Sequence, residues 1–201
     1  MTGPRLLFVI AMAIATLCAA ILFAAPTRDE AVLEIIRWTA RSSLVLFALA
    51  YVARPATVLW PSPLTKRLLR ERKWIGDGFA VSHLFHLAGI IAFASMQWDK
   101  FLAGRSAATV VASLMFVILF AMAITSIDRV RKAMSKRWWN ALHRTGMHLA
   151  WIIFTVTYVG RLTAGAIWAL PVAVLAAIAG VRASAWIRTR SRARARVSVA
   201  A

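Results

Sequence analysis

Apolar stretches of about 20 residues alternate with short polar, mostly basic segments along the whole chain, and this rhythm predicts membrane-spanning helices. The first apolar run covers about 6–25. It is long for the apolar core of a signal peptide, so it is read as a retained helix, with a cleaved signal as the alternative. After "PTRDEAVLE" the second span covers about 35–52, with Arg37 and Arg41 in its opening turns. A proline-punctuated basic segment, 54–73, leads to the third span at about 74–96. "QWDKFLAGRS" precedes the fourth, about 107–127, and "DRVRKAMSKR" the fifth, about 138–159. A turn at "GRLTAG" leads to the sixth, about 166–185. The remainder, 186–201, is an Arg-rich tail that reads as a disordered cytoplasmic extension of the domain at 1–185. The expected fold is an all-α polytopic membrane bundle of six transmembrane helices.

Composition agrees with this reading. Hydrophobic residues make up 61% of the 201, well above a soluble domain's usual share. Lys and Arg number 25 against 7 Asp and Glu, for a net charge of +18. That excess does not point to nucleic acid, because the cations are parcelled between apolar runs and no nucleic-acid motif accompanies them. It reports topology instead. With the N-terminus inside, eighteen positive residues fall on inner segments and six on outer ones, which predicts an N-in, C-in arrangement. The inner loops would also meet anionic lipid. Tryptophans 38, 60, 74, 98, 138, 139 and 186 sit near span ends, as interfacial anchors do. The one cysteine, Cys18, lies within the first span and forms no internal disulfide.

All four histidines fall inside spans: His83 and His86 in the third, His143 and His148 in the fifth. Ionisable groups buried in lipid are costly unless paired or ligated, so these residues are the candidate site. On a helix, His83 and His86 are about 60° apart and share a face, whereas His143 and His148 diverge by about 140°. Counted from the span starts, His148 matches the third-span pair in depth and His143 lies shallower. Imidazoles on two facing helices can clamp a heme iron, and small residues such as Gly78, Ala80, Gly89 and Gly146 leave room for a macrocycle. The plain alternative is interhelical hydrogen bonding alone. Zinc is disfavoured because no Cys, Asp or Glu joins the histidines at that depth. Met147 reads as core filler. Asp77 and Arg144 lie in the inner halves of their spans, where they could pair, or hold propionates, or snorkel.

Two short segments resemble a known family. "RKWIGDGFAVSHLFH" (72–86) and "RWWNALHR" (137–144) are similar to signatures of the ferric reductase-like transmembrane domain, closest to the bacterial MsrQ/YedZ heme-binding membrane subunits. "WTARSSLVLFALAYVARP" (38–55) is a weaker third match. The resemblance implies heme ligation by His86 and by His143. It also implies a further ligand 13 residues beyond His143, and that position is Val156 here. One b-type heme follows, held by His86 with His143 or His148; a second heme at the remaining fifth-span histidine is the lesser alternative. His83, Asp77 and Arg144 are alternate or supporting groups.

The function so implied is a membrane electron-transfer subunit in a bacterial inner membrane. It would take electrons from the quinone pool or a flavin donor and pass them to a redox partner protein, such as a periplasmic molybdopterin methionine-sulfoxide reductase. These residues contain no G-x-G-x-x-G nucleotide motif and no catalytic residue of their own. Two other readings remain: a histidine-dependent proton or metal transporter, and a heme-free assembly or sensor subunit.

Overall fold

The structure is a computed structural model that describes residues 3–105 and 107–200. Among the described residues eight α-helices follow one another: α1 (Pro4–Ala24), α2 (Arg28–Leu59), α3 (Pro63–Met96), α4 (Trp98–Ala103), α5 (Ala107–Thr125), α6 (Asp128–Ala133), α7 (Lys136–Val159) and α8 (Ala169–Ala200). Two single 3₁₀ turns join α7 to α8, and there is no strand among the described residues.

Local chemistry sets the helix starts. Thr27 accepts the Glu30 amide at 3.2 Å, and Asp29 and Glu30 place negative charge on the positive end of α2. Pro63 opens α3 behind a reciprocal Ser62–Thr65 capping box. Ser135 caps α7. The turn between α2 and α3 is only residues 60–62, and Thr57 Oγ1 sews it by donating to Thr65 O at 3.0 Å.

Several helices overrun the apolar windows. The segment 54–73, read from sequence as a loop, is mostly the end of α2 and the start of α3. α8 continues to Ala200, through the tail expected to be disordered. The reason is shared: Arg, Lys, Ala and Leu are strong helix formers, so helices persist after hydrophobicity stops. Pro55 is accommodated within α2, where its missing N–H loosens a turn, and Arg72 Nε donates to the nearby Ala50 carbonyl at 2.9 Å.

Among the described residues, four helical stretches are long and apolar enough to cross a membrane: α1, α2, α3 and Ala166–Arg194, which takes in most of α8. This is a multi-pass membrane protein. The expected fourth and fifth spans are α5 and α7. α5 contributes a shorter apolar run, Ala112–Thr125, and in α7 two histidines and Arg144 lower the hydropathy.

α2 packs most extensively on α3 and then on α8; α5 lies against α7, and α1 sits outside on α2 and α3. The main core joins Phe47 and Tyr51 of α2, Phe79 of α3, Met115 and Leu119 of α5, Phe154 of α7 and Leu175 of α8. A small second cluster, Ile14, Cys18 and Ile35, seats α1. Trp60, Trp98, Trp138 and Trp186 are exposed.

Candidate functional site

The shared face of His83 and His86 points at α2, and α2 answers with hydroxyls and a carbonyl. His86 Nδ1 lies 3.0 Å from the carbonyl oxygen of Ile36 and 3.2 Å from Thr39 Oγ1. A carbonyl only accepts, so Nδ1 carries the proton, and Nε2 keeps a lone pair and makes no hydrogen bond among the described residues. Gly89, one turn beyond, makes this approach feasible, since a Cβ there would come within 2.9 Å of Ile36 Cγ1.

His83 is held by a directional chain. Ser82 Oγ donates to Thr39 O at 3.0 Å, and Ser43 Oγ donates to Ser82 Oγ at 2.8 Å. The Ser43 oxygen therefore accepts from His83 Nδ1 at 2.8 Å. Ser42 Oγ also lies 2.8 Å from Ser82 Oγ. His83 is only 6% exposed, and Thr39, Ser43 and Ser82 are fully buried at 0%. Both imidazoles are thus the tautomer that leaves Nε2 available for a metal, oriented through Nδ1–H by the α2 acceptors. Their rings lie 5.7 Å apart, flanked by Phe116 of α5; Phe79 and Phe154 also contact His83.

The α7 histidines turn elsewhere. His143 stacks on Trp139 at 4.1 Å, and its Nε2 lies 3.2 Å from Thr125 Oγ1 on α5. The Thr125 hydroxyl donates to Ala121 O, so His143 Nε2 is the donor to it. His148 faces the opposite flank, with Nδ1 3.3 Å from the Tyr51 hydroxyl and Nε2 3.4 Å from Arg182 Nη2. Among the described residues, no ring contact joins either of them to His83 or His86. The space between α3 and α7 is filled by Phe47, Phe79 and Phe154, whose ring centroids lie 5.2–6.0 Å apart.

The donor set can be weighed against a bis-histidine heme on this basis. The α3 half fits, with a free Nε2 on His86 and an oriented ring. The α7 half fits less well: His143 Nε2 is engaged with Thr125 of α5, and both nitrogens of His148 are engaged with Tyr51 and Arg182. Val156 is 54% exposed, on the outer face of α7 between the buried Phe154 and Tyr158. No group of three or more His, Cys, Asp or Glu gathers among the described residues.

Asp77 and Arg144 are not paired. Asp77 lines an open groove with Lys73, Phe120 and Arg129, while Arg144 is exposed. The partners of the α3 histidines, Thr39, Ser42, Ser43 and Ser82, carried no distinctive sequence signal. Their only hint was a run of small hydroxyls inside two apolar spans.

Residues 37–157 match the family described as ferric reductase like transmembrane component. That stretch contains all four histidines and every hydroxyl that orients the α3 pair. No curated protein and no solved structure matches the chain.

Proposed function

The chain belongs to the ferric reductase-like transmembrane family, and from that premise we propose that it is a membrane redox subunit that carries electrons through a b-type heme held by His86. The observation that carries this reading is the His86 ring itself. It lies inside the matched segment, with Nδ1–H directed to Ile36 O and Nε2 unengaged. When bound, heme supplies one-electron iron chemistry. This chain's residues would orient one axial imidazole, keep the pocket dry through Phe79, Phe116 and Phe154, and hold the Nδ1 proton in place. Across the bundle, His143 Nε2 is engaged with Thr125 and His148 Nε2 with Arg182. A single heme accords with Val156 at the position of the family's outer ligand.

On this reading the six apolar segments cross the membrane with both ends inside, as the bias in basic residues favours. Electrons would come from a quinol or a flavin donor and leave to a partner reductase. The bacterial inner membrane is the compartment we propose. A second reading, a heme-free assembly or sensor subunit, draws on the aromatic filling between α3 and α7.

The experiment is a reduced-minus-oxidised absorbance spectrum of the protein purified in detergent, with His86→Ala, His83→Ala, His143→Ala and His148→Ala beside it. A b-type Soret and alpha band that disappears in H86A supports the heme reading, and a second variant that abolishes it names the opposite ligand. A colourless wild-type protein, or full bands in H86A, overturns it.

A further inference from the structure

Arg72 of α3 and Arg182 of α8 both reach α2 at Ala50 and Tyr51, and among the described residues neither has a carboxylate partner. Arg72 is half-buried, with its Nε donating to Ala50 O at 2.9 Å. Arg182 of α8 spreads its guanidinium over the Tyr51 ring, 4.5 Å from the centroid, and reaches His148 Nε2. The one ion pair among the described residues is Arg37–Glu34, far along the chain from this cluster. Glu71 does not serve it, since its carboxylate accepts the Gly3 amide instead.

Like charges held together between apolar helices are unfavourable unless something negative neutralises them. Among the described residues no ion pair reaches either guanidinium. Guanidinium groups present planar forks of N–H donors that match phosphate oxygens. Basic pockets between transmembrane helices take lipid headgroups in this way. We propose that Arg72 and Arg182, with Tyr51 beside them, form a binding site for a phosphate group, carried by an anionic phospholipid. The site does not rest on the heme reading and holds with or without that cofactor.

The test follows thermal unfolding of the detergent-purified protein with added phosphatidylglycerol, phosphatidylcholine or inorganic phosphate at matched ionic strength. Phosphatidylglycerol is expected to raise Tm by several degrees and saturably, as a ligand of the folded state does. Arg182→Gln should abolish that rise, Arg182→Lys should retain it, and Arg190→Gln, which removes the same charge beside Trp186, should leave it intact. If R182Q does not fold, Arg72→Gln takes its place. A rise with inorganic phosphate alone that is lost in R182Q assigns the cluster to free phosphate and keeps the site. An equal rise with phosphatidylcholine, an undiminished rise in R182Q, or an equal loss in R190Q overturns the proposal.

Discussion

Replacing Ser43 with alanine removes the one acceptor of His83 Nδ1–H, and the consequence can be sized. Ser43 is fully buried, 2.8 Å from both His83 Nδ1 and Ser82 Oγ. Ser82 loses one donor but keeps Ser42 Oγ and its own bond to Thr39 O, so its loss is small. The imidazole N–H is left without a partner in an aromatic surrounding. An orphaned buried donor costs about 1–3 kcal/mol in soluble proteins, while interhelical hydrogen bonds in membranes average about 0.6 and reach about 1.7 kcal/mol. The higher membrane value is the better guide, because Ser43 and His83 are both buried between packed helices, so about 1–2 kcal/mol is expected for S43A.

His83→Ala loses the same bond and also opens a cavity against Phe79, Phe116 and Phe154, for about 2–3 kcal/mol. If the bond is the link between them, the S43A/H83A double variant should cost about 1 kcal/mol less than the two single losses together. Reversible unfolding in mixed detergent micelles measures all four corners of the cycle. Additivity within about 0.3 kcal/mol would refute the hydrogen-bonded chain.

Two further predictions concern α7. A Cβ on Gly146 would collide with the Met122 sulfur and sit 3.0 Å from Ile118 Cγ2, so Gly146→Val should separate α5 from α7 at a cost of about 2–3 kcal/mol, read as a lowered Tm. Gly146→Ala should cost less, since the Met122 thioether can swing away. Val156→His restores the family's residue type on an outward face, so the heme-to-protein ratio measured by pyridine hemochrome should not rise; a gain of one heme per chain would contradict the exposure of that position.

The sequence made the α3 histidine pair legible because three residues on a helix subtend a fixed small angle. The divergence of His143 and His148 was legible for the same reason, and the structure sends one to α5 and the other to α2 and α8. The apolar windows found every long helix but misjudged the ends. Hydropathy reports what lipid tolerates, whereas α2, α3 and α8 are extended by Arg, Lys and Ala, which favour helix in any solvent. The acceptors of the α3 pair stayed invisible. Serine and threonine are common in apolar spans, and only the packing of α2 on α3 tells which of them meet an imidazole. Arg182 was hidden differently: it reads as one basic residue near a span end, and its neighbours Tyr51 and Arg72 lie more than a hundred positions earlier.

The three-residue connection between α2 and α3 bears on how the protein is made. Ile36, Thr39, Ser42, Ser43, Ser82, His83 and His86 all belong to this one hairpin, and the hydroxyls and both imidazole Nδ1–H groups find their partners within it. As the nascent chain leaves the insertion machinery, the two helices can enter lipid side by side with these polar groups already paired, before α5 or α7 has been synthesised. The least lipid-compatible residues of the core thus partition as a pre-neutralised unit, and α7 joins a hairpin that already stands in the bilayer.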